Sequence, residues 1–93
     1  MVIPKKEIDY LFDMDEETYA GLMLFAKIVA EGVKKAIPCK KVGVSVIGLE
    51  VPHAHVHLIP MNAVSDMNFS REKLNPSQEE LAATAQKIRA ALI

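Results

Sequence analysis

The chain has one cysteine, no tryptophan, and an aromatic content of two tyrosines and three phenylalanines. Cys39 has no second cysteine to pair with, which excludes an internally disulfide-stapled scaffold. No signal-peptide pattern heads the chain, and together these observations lead us to expect a reducing, cytoplasmic setting. Cys39 follows Pro38 with no histidine near it in sequence, so it suits a connector better than a nucleophile. No apolar run approaches the roughly 20 residues that cross a bilayer, so no membrane role is expected. Charge of one sign is missing too. Eleven Lys and Arg against twelve Asp and Glu leave a formal charge of −1, which argues against a general nucleic-acid surface. Lysines 5, 6, 34, 35, 40 and 41 come in adjacent pairs, and solvated helix ends and strand exits account for them.

Repeats, low-complexity tracts and interdomain linkers are likewise absent. What remains is a chain of 93 residues, 51% hydrophobic and 25% charged. That composition predicts one globular domain over residues 1–93, large enough for a modest core.

"MVIPKK" is apolar until Pro4 and reads as a very short strand. "EIDYLF" fits either a loop or one helical turn. Residues 13–37 form the clearest helix: Asp15 can cap it, Glu16 and Glu17 suit its positive end, and Lys34 and Lys35 its negative end. Leu22, Phe25, Ala26, Val29 and Val33 make an apolar stripe at helical spacing. Met23, Leu24, Ile28 and Ala30 widen it beyond one face, which implies deep burial or a second subunit. "KVGVSVIG" alternates as a strand does, residues 48–52 form a tight connection, and residues 53–61 form the next strand, antiparallel to it. Residues 62–77 read as an irregular loop. A last helix starts near Asn75 or Ser77, with Pro76 in its first turn and Ser77 and Glu80 at capping-box spacing. The expectation is an α+β domain, a small antiparallel sheet covered by a long central helix and a C-terminal helix.

All three histidines fall within "VPHAHVHLIP", at positions 53, 55 and 57. On a strand, alternate residues share a face. His53, His55 and His57 would then line one side, with Ala54, Val56 and Leu58 against a helix on the other. A core histidine satisfied by its surroundings explains one imidazole more easily than a row of three. Zinc binding is a second reading, since histidines two apart on a strand can present nitrogens to a metal. No fourth histidine closes such a site, and neither Glu50 nor Glu7 has a diagnostic spacing. Nucleophilic catalysis at phosphorus is the third. A neutral imidazole is a competent nucleophile near pH 7, and a cluster of three disfavours protonating all of them at once. Spacing alone does not choose between zinc and phosphorus chemistry.

The residues themselves carry a resemblance. "HAHVHLI" has the form His-φ-His-φ-His-φ-φ, where φ is apolar, and is similar to the motif of the histidine triad (HIT) family of nucleotide hydrolases and transferases. "IGLEVPHAHVHLIPM" resembles the stretch around that motif in bacterial members, and "VIPKKEI" resembles the strand end before their central helix. The resemblance covers residues 1 to about 61, with 62–93 as a variable loop and helix. It implies that His55 attacks the α-phosphorus of a nucleotide and forms a nucleotidyl-histidine, which water releases as a nucleoside monophosphate. It further implies that His57 contacts the phosphate and helps protonate the leaving group, and that His53 orients His55 by hydrogen bonding. The implied substrate is a purine nucleotide or nucleoside phosphoramidate. No metal or other cofactor is implied, and the implied assembly is a homodimer with the central helix near its interface. Glu7, Glu50 and Val51 are the candidate substrate-binding positions. An alternative is a non-catalytic nucleotide-binding or interaction module.

This chain also departs from the family pattern. Glu7 stands where many members have histidine after "IPKK". Leu49 replaces the usual glutamine, Glu50 replaces a small hydroxyl residue, and the asparagine often found ahead of the motif has no counterpart in residues 37–60. Members of the family normally begin with further strands and a short helix that supply much of the base and ribose pocket, so against that pattern the chain reads as N-terminally truncated.

Overall fold

The computed structural model describes residues 1–70 and 75–92. Helix α1 (Glu16–Ala36) begins where the sequence places a cap. The Asp15 carboxylate accepts from the Thr18 amide at 3.1 Å and the Thr18 hydroxyl at 2.6 Å. Those two bonds, the hydroxyl's first, hold the Asp15 pKa below the ordinary carboxylate range. At the other end Lys34 Nζ donates to the carbonyls of Cys39 and Lys40, tying the departing chain to the last helical turn. "EIDYLF" resolves as a 3-10 turn over Leu11–Asp13.

Two strands follow α1: β1 (Lys41–Ser45) and β2 (His57–Met61). They pair antiparallel, from Lys41 opposite Met61 to Ser45 opposite His57. The triad strand is therefore shorter than expected, and the link is not tight, because residues 46–56 all lie between the two strands. The physical reason is competition for backbone partners. The Ala54 amide donates to Ile8 O at 2.7 Å, and Val56 exchanges both of its hydrogen bonds with Val2. His53, in a bend where its amide donates to Val51 O at 2.8 Å, and His55 thus sit on chain joined to the N-terminal segment instead of to β1. Their alternation survives this: Ala54 and Val56 are 1% and 0% exposed, whereas the three histidines are half-buried.

Val2, Leu11, Met14, Leu22, Ala26, Ala54 and Val56 form the core, with Leu58 packed against it. On α1 the buried residues are Leu22, Ala26, Gly32 and Val33. Phe25, which the helical stripe places inside, lies outside at 55% exposed, beside Leu24 and Ile28 on the outer face. A second 3-10 turn, Val64–Met67, occupies part of the segment read as loop. Residues 71–74 of that segment lie outside the described residues. Helix α2 (Gln78–Ala91) is capped by Ser77, whose hydroxyl accepts from the Glu80 amide at 3.1 Å, so Pro76 precedes the cap instead of joining the first turn. At Gly32 the two helices pack closely: a Cβ there would lie 3.5 Å from Ile88 O of α2 and would displace the Leu92 side chain just beyond it. The architecture is α+β, as expected. Among the described residues no helix is long and apolar enough to cross a membrane.

Two consequences can be measured. Val56→Ala removes two fully buried methyl groups' worth of packing and should cost about 2–3 kcal/mol in denaturant unfolding; a loss near zero would contradict this view of the core. Asp15→Asn keeps a capping acceptor but removes the charge. Because the folded carboxyl pKa is lowered, its contribution is present above the unfolded pKa and disappears as pH falls through the folded value. Thermal melts should show the variant less stable at pH 7, with the gap closing on acidification. A gap constant with pH would exclude the charge as its source.

Candidate active site

After β1 the chain reaches Gly48, whose φ of 68° lies in the left-handed region that favours glycine. Ile47, Leu49, Glu50 and Val51 around this turn line a cleft of about 300 Å³ together with His55, His57 and Phe69. His53 does not reach it. That ring borders a second recess of about 270 Å³ with Met1, Ile3, Val51 and His55, so His55 and Val51 are common to both spaces.

Carbonyl oxygens decide the proton positions. His53 Nε2 lies 2.9 Å from Pro4 O, and His55 Nδ1 lies 2.9 Å from His53 O. A carbonyl can only accept, so His53 donates from Nε2 and His55 donates from Nδ1. In neutral His55 the lone pair is then on Nε2. The bond linking the first and second histidines therefore runs to the backbone of His53, while the His53 imidazole is anchored on Pro4. The rings of His55 and His57 meet edge to face with centroids 4.8 Å apart.

Of the other candidates, Glu50 and Val51 border the cleft. Glu7 is exposed and lines neither space, because the Pro4 and Ile8 carbonyls hold the chain to the histidine segment while residues 5–7 lie on the surface between them. Leu49 is 88% exposed at the cleft's edge. No three His, Cys, Asp or Glu side chains converge as a metal would require among the described residues.

Phe69 was not marked by any motif. Its ring sits 4.9 Å from that of His57 at 61°. The loop delivering it is built from local bonds: Asp66 Oδ2 accepts from the amides of Asn62 and Ala63, and Asn68 Oδ1 accepts from the amide and hydroxyl of Ser70. The one signal in the sequence is a phenylalanine within a polar stretch of a chain that has only three.

The tautomer assignment can be checked directly. Long-range ¹H–¹⁵N correlation spectra above the histidine titration should show neutral His55 protonated on Nδ1 and neutral His53 on Nε2. The opposite tautomer at His55 would rule out the carbonyl contact.

The model of the HIT domain family matches residues 1–64. Among solved structures, a histidine triad protein of Bradyrhizobium japonicum superposes with a TM-score of 0.83 at 23% identity, covering 98% of this chain and 72% of its own, and so speaks to the fold alone. A histidine triad protein of Sinorhizobium meliloti gives a TM-score of 0.74 at 28% identity, covering 94% of this chain and 68% of its own. A HIT-like protein involved in cell-cycle regulation from Bartonella henselae, solved with an unknown ligand, gives a TM-score of 0.74 at 29% identity, with 96% and 66% covered. With the family model spanning well over half of the sequence, and with His55 and His57 lining one cleft while His53 borders the adjoining recess, the chain belongs to the histidine triad (HIT) family.

Proposed function

We propose that this protein is a nucleotide hydrolase or transferase that cleaves a nucleoside monophosphate from an amine or another small leaving group through a nucleotidyl-histidine. The observation that carries the reading is the 2.9 Å contact of His55 Nδ1 with His53 O, which commits one ring nitrogen as donor and gives the other the lone pair. An imidazole so fixed needs no base to activate it.

In the first step the His55 Nε2 lone pair attacks the α-phosphorus. The bond from phosphorus to the leaving nitrogen breaks, and that nitrogen takes a proton from His57. His55 becomes cationic, and its Nδ1–H strengthens its bond to the His53 carbonyl as positive charge develops. In the second step water attacks the same phosphorus, its proton passes to His57, and the electron pair of the phosphorus–nitrogen bond returns to His55. The products are a nucleoside monophosphate and the free amine. His53 is a positioning residue, held by Pro4 and holding His55 through its backbone. Val51 borders both spaces beside His55 and Glu50 borders the larger, so both are substrate contacts in this reading.

A purine nucleoside phosphoramidate is the substrate class, and no cofactor takes part. A second copy of the chain is the proposed partner, with Leu24, Phe25 and Ile28 as the contact, because three exposed apolar side chains on one helix face gain from being covered. The cytoplasm is the proposed setting, in keeping with a lone, half-buried thiol at Cys39.

His55→Ala should lower turnover of adenosine 5′-phosphoramidate by at least about 10³-fold with an unchanged melting profile; near-normal turnover would exclude His55 as nucleophile. Phe25→Glu should shift the mass in light scattering from a dimer to a monomer. Wild-type protein that runs as a monomer at micromolar concentration would refute the interface.

A further inference from the structure

The segment after β2 folds back over the outer face of the β1–β2 pair, and two methionines hold it there. We propose that Met61 and Met67 form a modification site, a thioether clasp that peroxide oxidises to the sulfoxides, and that this oxidation frees residues 62–70 from the sheet and takes Phe69 off His57. Any effect on turnover rests on the function proposed for His57; the modification and the movement do not.

Side chains alternate along β2, so Leu58 and Pro60 face the helices while His57, Ile59 and Met61 take the opposite side. Gly43 of β1 lies across from Ile59, on that same side. A Cβ built on Gly43 would overlap Met61 Sδ and lie 2.6 Å from Met67 Cε, so both methionine side chains end over this bare stretch of backbone. Met61, Met67 and Phe69 are half-buried, whereas Val64 is 88% exposed. Among the described residues of the segment, its apolar grip on the sheet is therefore Met67 over Gly43 and Phe69 on His57. Polar bonds secure its start: Lys40 N donates to Asn62 Oδ1 at 3.0 Å, and Asp66 Oδ2 accepts from the amides of Asn62 and Ala63. The bonds of Asn68 Oδ1 to Ser70 stay inside the segment.

Half-buried thioethers at such a seam are open to a small oxidant and still belong to the packing. Peroxide gives one oxygen to sulfur: the sulfur loses two electrons, the O–O bond breaks, and water leaves. The product is polar, chiral and larger by an oxygen, and Met61 Sδ already has the Gly43 backbone against it. Burying that oxygen without a donor is costly, so the sulfoxide is more stable turned to water with the seam open. The other methionines lack this combination. Met1 is 74% exposed, Met14 is 8% exposed in the core, and Met23 packs against the core from α1. With the start of the segment still tied by Lys40 and Asp66, release at Met67 moves Phe69, two residues further on.

The test follows the ring contact by NMR and needs no catalysis. With centroids 4.9 Å apart, the ring protons of Phe69 and His57 should give a through-space cross-peak. Hydrogen peroxide should oxidise Met61 and Met67 at least about tenfold faster than Met14, read by peptide mass, and abolish that cross-peak. Methionine sulfoxide reductases should restore it. The double variant Met61→Leu, Met67→Leu keeps an apolar seam and should retain the cross-peak through the same treatment, although Cys39, Met14 and Met23 are still present to react. Gly43→Ala should lose the cross-peak with no oxidant, because its methyl takes the space of both thioether ends. A cross-peak that survives oxidation of both methionines, that is lost equally in the leucine variant, or that is unchanged in Gly43→Ala would overturn the proposal. Turnover of His55→Ala tests the reaction separately, so neither result decides the other.

Discussion

Val2 and Val56 exchange backbone hydrogen bonds at 2.9 and 2.8 Å, and the rest of the molecule is arranged around that pair. It fixes the histidine segment against the N-terminal chain, and a two-residue side-chain period then sends every other residue inward. Val56 and Ala54 enter the core against Leu22 and Ala26 of α1. A slip of one residue would bury imidazoles and expose the core side chains, so register and core stability enforce each other. The same pairing brings Pro4 O to His53, and the chain carries His53 O to His55. Packing on one face thus sets proton positions on the other.

The site divides into a rigid part and an open one. The rigid part is backbone: carbonyls of Pro4 and His53 hold two imidazoles, and nothing in those contacts depends on long, flexible side chains. The open part is the cleft beside it, with exposed Leu49 and Val51 among its lining residues along with Phe69.

Much of this was legible in the residues. Helix α1 announced itself through Asp15 and its lysine-rich end, and α2 through Ser77, because caps are local chemistry. The alternation of histidine with Ala54 and Val56 foretold their burial, whereas Leu58, expected on the same face, is only partly buried against the core. Strand limits were not legible, since the backbone partners of Ala54 and Val56 are Ile8 and Val2, far away in sequence. Phe25 escaped for a similar reason: helical spacing names a face but not the neighbour that covers it. Glu7 is close to Pro4 in sequence yet not in the site, because only the carbonyls of that segment turn toward the histidines. Phe69 reaches His57 through a loop whose bonds are made by Asp66 and Asn68, a placement that no periodicity encodes.

The central claim is that His55 carries the nucleotide between the two displacements. Mixing the protein briefly with adenosine 5′-phosphoramidate, quenching in alkali to preserve the phosphorus–nitrogen bond, and weighing the intact chain would test it most directly. The account predicts an adenylyl increment that maps to the peptide containing His55 and is absent from His55→Ala. Release of adenosine monophosphate with no adduct at any quench time, or an adduct that persists in His55→Ala, would contradict it.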